Sequence, residues 1–245
     1  MNPAVLLQFL LCPFVFLLLL RTTAPYGRHF APGWGPSLPN RSAWFLMELP
    51  ALLLITFLLM TSGKLFAPPA FAPWLLWSMH YSYRTFLFPA LMRPSGKSFP
   101  ALLMIFAIAF NTLNGYNNAE ALIANAKTGG TLLSANFAFG AAAFLAGFWL
   151  HVSADRTIRR LRCSGFSGYG IPRGGWFSRV SNPNYLGEIV QWTGWAILTW
   201  SWAGLAFALF TLCNLAPRAM ANHRWYQQKF PDYPAGRRVL IPGIF

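Results

Sequence analysis

The sequence predicts an all-α membrane protein of seven transmembrane helices, with its N-terminus outside and its C-terminus cytoplasmic. Three observations carry that prediction. First, 56% of the 245 residues are hydrophobic and 10% are charged, a balance too apolar for a soluble domain. Second, apolar stretches long enough to cross a bilayer recur along the chain, parted by segments rich in Pro, Gly and Arg. Third, the basic residues alternate with those stretches. Of the 19 Lys and Arg, 16 fall on one side of the bundle, Lys64 and Lys127 on the other, and Arg84 within a span. By the positive-inside rule the rich side is cytoplasmic. In a soluble chain a net charge of +14 would suggest nucleic acid. Here it combines a topology signal with a site for an anionic ligand. Cys12, Cys163 and Cys213 are far apart with no CxxC spacing, so neither a disulfide framework nor a zinc site is read.

The first span, residues 3–20, stops at Arg21. No basic residue precedes its apolar run, so it reads as a membrane helix and not as a signal peptide. The second, 44–60, carries Glu48, and Pro50 is expected to bend it beside the carboxylate. The third, 71–92, holds His80, Tyr81 and Arg84. The fourth, 100–123, turns polar at Asn111, Asn114, Asn117, Asn118 and Glu120. The fifth, 132–154, continues into a charged extension to Arg162. A loop rich in Gly and Pro, 163–182, leads to the sixth, 184–199. The seventh, 202–229, is followed by a tail that ends at Phe245.

Chemistry concentrates where polar groups are forced into apolar spans. Residues 181–195 read as a helix start, with Asn182 suited to cap and Pro183 to the first turn. From there Asn184, Glu188, Gln191 and Trp195 share one stripe. A carboxylate in a membrane helix is costly without a partner, which makes Glu188 a functional candidate; a structural bond to a neighbouring helix is the plainer alternative. His151, Asp155, Arg159 and Arg162 line up beyond the fifth span, and the Gly-rich segment 169–176 leads back to the Asn182 cap. Glycines let backbone N–H groups approach an anion, a helix start faces it with a positive dipole end, and arginines bind phosphate bidentately. Such a site suits a diphosphate, with a further basic residue for a third phosphate. Anchoring of lipid headgroups is the other account of any one of these arginines. Glu48 and Tyr81, on neighbouring spans, can together hold and polarise a carbonyl, the phenol donating to an oxygen that gains negative charge. A helix-packing pair is the alternative. His80 and Arg84, four apart, read as a structural or phosphate-facing pair. Asn222, His223 and Tyr226 share a face at the end of the last span, either closing over a bound cofactor or forming an interfacial girdle.

Together these residues resemble the steroid 5α-reductase family over nearly the whole chain. The resemblance is carried by Pro-Tyr-Gly-Arg-His at 25–29, Ala-Trp-Phe-Leu-Met-Glu-Leu-Pro at 43–50, His-Tyr-Ser-Tyr-Arg-Thr-Phe at 80–86 and Asn-Gly-Tyr at 114–116. It continues in Ile-Pro-Arg-Gly-Gly at 171–175, Asn-Tyr-Leu-Gly-Glu at 184–188, and Trp225-Tyr226 through Ile241-Pro242. The motifs holding Glu48 and Tyr81 are the specific ones. The Asn-Tyr-Leu-Gly-Glu stretch is similar in sterol reductases and isoprenylcysteine methyltransferases as well.

The resemblance implies an enzyme that uses NADPH to reduce the Δ4 double bond of a 3-oxosteroid, with Glu48 and Tyr81 holding the C3 carbonyl, hydride arriving at C5 and a proton at C4. It implies cofactor contacts at Arg84, Lys97, Asn114, Asp155, Arg162, Tyr169, Asn184, Glu188, Tyr226 and Arg237; the stripe beyond the fifth span adds His151 and Arg159. Met47 stands where Gln is common, His151 where Asn is common and Gly170 where a basic residue is common, the last expected to weaken phosphate binding or shift it toward Arg173. The chain reads as one domain, 1–245, in which 1–125 supplies the carbonyl end and 126–245 most of the NADPH site. The partners expected are a steroid or other lipophilic enone and membrane lipid, with no nucleic acid, no metal and no obligate protein partner. The compact chain with short loops favours a bacterial inner membrane over the endoplasmic reticulum. Two other readings stand beside this one: a membrane methyltransferase using S-adenosylmethionine, and a non-catalytic sterol-binding protein on the same fold.

Overall fold

The computed structural model describes residues 2–92, 98–129, 132–163 and 169–245. Seven long helices are found among them: α1 Pro3–Arg21, α2 Asn40–Thr61, α3 Pro68–Ser82, α4 Ala101–Lys127, α5 Ala135–Cys163, α6 Pro183–Thr199 and α7 Trp202–Lys229. Four of them (α1, α2, α5 and α7) are long and apolar enough to cross a membrane by length and composition. Helix α4 is long enough but carries five asparagines, and α3 and α6 have 15 and 17 residues. The outer surface bears Leu10, Phe14, Phe57 and Trp149, each more than half exposed. Apolar surface on that scale suits lipid and not water. The protein is an all-α membrane protein.

Local signals set most helix starts. The Asn2 side chain accepts from the Ala4 N–H at 2.9 Å, with Pro3 in the first turn, and Ser201 accepts from the Gly204 N–H at 3.0 Å. The expected Asn182 cap is not formed. Its amide instead donates to the carbonyls of Ala219 and Val239 at 3.1 and 3.2 Å, because the C-terminal tail folds back over the start of α6. The backbones of Arg179, Ser181 and Arg238 bond across this return. The single third span expected over 71–92 is also interrupted. After Ser82 the chain makes a π-helical turn, Tyr83–Leu87, and then a short α turn, Phe88–Ala90. Pro89 has no N–H to offer the carbonyl four residues back, and the Phe88 N–H bonds Tyr83 O five residues back. Such π turns re-aim side chains and cluster at functional sites; this one carries Arg84.

Two three-residue strands lie where the sequence suggests loop. Strand β1, Ser37–Pro39, pairs antiparallel with β2, Ser98–Pro100. The pairing ties the segment before α2 to the start of α4 and seats Phe99 against Tyr26 and Trp44.

The closest helix packing joins α5 to α6. Gly140 and Gly147 on one helix face Gly194 and Gly187 on the other. A Cβ on Gly187 would lie 2.5 Å from the His151 nitrogen and 2.7 Å from the Gly147 carbonyl. Small residues let membrane helices approach this closely. One consequence is chemical, for the next residue, Glu188, is brought against His151. Above this seam, Trp77, Phe144, Trp192, Trp195 and Phe207 form the aromatic core.

Candidate active site

A cavity of about 1320 Å³ opens between the helices. Its wall takes residues from α1, α2, the α3 turn, α4, α5, α6 and α7, so it exists only once the bundle has formed. At the α2–α3 wall the central feature is an ion pair. Arg84 donates from Nε and Nη2 to Glu48 Oε1 at 3.2 and 3.1 Å, and both residues are buried. Asn111 closes the set, its Nδ2 donating to the Met47 carbonyl at 2.6 Å and to Glu48 Oε2 at 3.3 Å. The Arg84 guanidinium also lies 4.3 Å above the Trp44 ring.

Glu48 is thus paired with a cation, and the expected pairing of His80 with Arg84 is not formed. The π turn swings Arg84 toward α2, while His80 Nδ1 meets Gln191 Oε1 on α6 at 3.1 Å. Tyr81 lines the same cavity, its ring 4.8 Å from that of Trp77 and 5.1 Å from that of His80.

The α5–α6 wall carries the stripe read from sequence. His151 stands between two acids, with Nδ1 3.3 Å from Glu188 Oε1 and Nε2 3.6 Å from Asp155 Oδ2. Tyr83 donates to Asp155 Oδ2 at 3.2 Å and accepts from Arg159 at 3.1 Å. Asp155, Arg159, Arg162, Tyr169, Asn184, Glu188 and Tyr226 all line the cavity with Glu48, Tyr81 and Arg84. Among the described residues six arginines line it, against the acids Glu48, Asp155 and Glu188.

Three expected contacts are placed elsewhere. Asn114 is buried and bonded to Gln8 and Asn118, and His151 is buried against Glu188, neither on the cavity wall. Arg237 is buried outside it and donates to the Pro172 carbonyl at 2.9 Å. Arg173, offered as an alternative phosphate ligand, is on the surface, paired with Asp232 at 3.2 Å. Gly174 and Gly175 do not line the cavity. Lys97 lies outside the described residues.

In the sequence Arg218 counts only as a cytoplasmic-side charge, and Arg28 counts as one within the Pro-Tyr-Gly-Arg-His motif. Arg218 is buried and donates to Tyr185 Oη at 3.0 Å and to the carbonyls of Ala24 and Tyr26 at 3.0 and 3.2 Å. It takes no acid as partner in those bonds and lies 3.6 Å over the Tyr26 ring. Burial, opposed by Arg218, pushes the Tyr26 phenol up to about 12, so it stays a neutral donor at pH 7. Arg28 sits among the rings of Tyr226, Trp225 and Tyr169 at 4.5, 5.0 and 5.4 Å. Its Nη1 is buried with no hydrogen bond among the described residues. The local signal is a charge between Tyr26 and Phe30 for Arg28, and for Arg218 only a charge inside an otherwise apolar stretch of α7.

Arg28 and Arg218 fit a polyanionic ligand, because both are partly or fully desolvated and neither is paired with a carboxylate among the described residues. The cavity also exceeds the about 300–1,000 Å³ of a site for one drug-sized molecule. It has room for an anionic cofactor and an apolar substrate together.

Comparison with known proteins places the chain in a family. The family model of 3-oxo-5-alpha-steroid 4-dehydrogenase matches residues 97–245. The chain belongs to that family. It is 43% identical over 235 residues to a steroid 5-alpha-reductase of Arabidopsis thaliana, covering 91% of this chain and 88% of the relative. It is 42% identical over 233 residues to 3-oxo-5-alpha-steroid 4-dehydrogenase 2 of Rattus norvegicus, covering 94% and 91%. It is 38% identical over 228 residues to 3-oxo-5-alpha-steroid 4-dehydrogenase 1 of Homo sapiens, covering 92% and 88%. Family membership covers α4 to the C-terminus, and the relatives extend the likeness across α2 and α3.

Proposed function

We propose that the protein reduces the Δ4 double bond of a 3-oxosteroid with NADPH, giving a 5α-reduced product. The observation that carries this reading is the shared cavity: a phenol and a held carboxylate on one wall, and a group of arginines on another, in a chain of this family. NADPH, when bound, supplies a hydride to C5. Arg28, Arg159, Arg162 and Arg218 are the residues suited to its phosphates, with Asn184, Glu188, Tyr169 and Tyr226 around the rest of it.

The chain's own part in catalysis is electrostatic. As C5 gains a hydride, negative charge moves through the enone to the C3 oxygen. The Tyr81 hydroxyl donates to that oxygen and is worth most in a site without water. Arg84 and Asn111 keep Glu48 in one position, so the carboxylate beside Tyr81 needs no reorganisation during the reaction. The apolar walls from Phe106, Phe110, Phe207 and Phe210 exclude water and suit a fused-ring substrate.

Product analysis with NADPH and a 3-oxo-4-ene steroid tests the reaction; recovery of unreduced steroid from folded, NADPH-loaded protein refutes it. Tyr81→Phe deletes one donor and keeps the ring, so turnover falls by about 10²–10³ with NADPH affinity unchanged. Arg162→Ala does the reverse, weakening NADPH by about 1.5–3 kcal/mol, the range for a hydrogen bond to a charged group. If Tyr81→Phe loses NADPH and Arg162→Ala does not, the two walls have been assigned the wrong way round.

The topology belongs to the same proposal. All seven helices cross the bilayer, the N-terminus lies outside, and the basic loops with the C-terminus face the cytoplasm. The anionic cofactor then enters from water and the steroid from lipid. Single cysteines at positions 64 and 173 should label from opposite sides, and labelling from the same side contradicts it.

A further inference from the structure

The reaction as proposed leaves one polar group on the cavity wall unused. His80, on α3, is only 3% exposed, yet it lines the cavity. Its ring lies 5.1 Å from that of Tyr81, 4.6 Å from that of Trp192 on α6 and 5.9 Å from that of His151 on α5. It therefore sits where the carbonyl wall meets the α5–α6 wall. The two ring nitrogens have different surroundings. Nδ1 is 3.1 Å from Gln191 Oε1, and an amide oxygen can only accept, so Nδ1 carries the proton. In a neutral imidazole the bond made by one nitrogen fixes the state of the other, and Nε2 is left with a lone pair. Nε2 has no hydrogen bond among the described residues, and it is not sealed from the cavity as both nitrogens of His151 are.

A buried acceptor without a partner is costly, and this one calls for a donor from the ligand. The enone of a 3-oxosteroid has no donor to give. Its oxygen accepts, and a lone pair aimed at that oxygen would repel the charge it gains. The nicotinamide end of NADPH does carry donors, the N–H groups of its carboxamide. We infer that His80 is a cofactor contact whose Nε2 accepts from the nicotinamide carboxamide, with Gln191 as the positioning residue that fixes its tautomer. The inference rests on the reading of this cavity as an NADPH site. The placement suits the chemistry, because the ring that gives up hydride must lie against the enone whose oxygen Tyr81 holds, and His80 adjoins Tyr81 in sequence and in space. It also gives a role to the third polar residue of the α6 stripe. Asn184 and Glu188 line the cavity themselves, whereas Gln191 is fully buried and meets it through His80.

The test is made on the full-length protein in lipid nanodiscs. It compares dissociation constants for NADPH and for its 3-acetylpyridine analogue, in which a methyl ketone replaces the carboxamide and offers no N–H. His80→Phe keeps an aromatic ring beside Trp192 and Tyr81 and deletes the acceptor. It should raise the dissociation constant for NADPH by about 3–10-fold, the size of one neutral hydrogen bond, and leave that for the analogue unchanged. His80→Gln returns an acceptor oxygen near the place of Nε2 and should recover most of the NADPH affinity. Gln191→Leu frees the tautomer and should weaken NADPH with the same selectivity; it carries the test if His80→Phe does not fold. An equal loss for both cofactors, or no loss for NADPH, overturns the inference. So does a fall in kcat with both affinities unchanged, which would assign His80 to the steroid. Wild-type protein that binds neither cofactor removes the parent reading itself, whereas tight NADPH binding that is indifferent to His80 removes only this contact.

Discussion

Arg84→Met should be more damaging alone than in combination with Glu48→Gln. Both side chains are buried, with relative exposures of 9% for Arg84 and 8% for Glu48. Arg84 supplies two of the three donors to that carboxylate, at 3.2 and 3.1 Å, and Asn111 supplies the third at 3.3 Å. Removing one member of such a pair leaves an uncompensated buried charge and costs about 3–5 kcal/mol. Loss of the guanidinium over Trp44 adds roughly 0.5–2 kcal/mol. In the double variant the charge is gone and a neutral amide of the same size accepts from Asn111, so most of the penalty is recovered. At about 2–4 °C per kcal/mol for a chain of this length, the 3–5 kcal/mol lost with the pair lowers Tm by roughly 6–20 °C in the single variant. The assay is thermal unfolding in detergent without NADPH or steroid, on wild type, both singles and the double. The reasoning requires the double to melt above Arg84→Met. A double that melts below it, by the sum of the two single losses, shows that the pair is not coupled and refutes the argument.

Two further outcomes follow from the packing and from the loop before α2. Gly187→Ala puts a methyl against the backbone of His151 and Gly147, where no side chain can move aside. It should destabilise by about 1–3 kcal/mol and weaken NADPH by separating Glu188 from His151; wild-type Tm and affinity contradict this. His29 is held below its ordinary value of 6.5, chiefly by burial and also by Arg218 and Arg28, against the bond to Asn222. The folded state therefore keeps His29 neutral while the unfolded chain binds a proton. Its share of stability is complete above pH 6.5 and is lost as pH falls toward the lowered folded value. Tm should drop more steeply below pH 6.5 in wild type than in His29→Gln, and parallel curves exclude His29 as a source.

The helical spans were legible because lipid imposes a one-dimensional rule. Every backbone polar group must be satisfied within its own segment, so spans appear as apolar runs. The cavity-lining stripe of Asp155, Arg159 and Arg162 on α5, and the pair Asn184 and Glu188 on α6, were legible for a similar reason, since 3.6-residue periodicity is local. The unusual cost of Glu48 and Glu188 in apolar surroundings marked them before any fold was known.

Partnership was not local, and only the tertiary structure decided it. Glu48 faces Arg84 because Pro89 shifts one turn of backbone into a π conformation, which rotates the guanidinium onto another helix. Asn182 leaves its capping geometry because α7 and the tail beyond it each bring a carbonyl to its amide, that of Ala219 and that of Val239. Arg237 left the cavity and Arg28 and Arg218 entered it through the path of that tail and of the loop after α1. Gln8 looks like an isolated polar residue in an apolar helix until α4 brings Asn114 and Asn117 to it. Sequence determines which groups lipid will not tolerate alone; the rotation and approach of the helices determine what each of them finds, because hydrogen bonds and ion pairs act only over a few ångströms.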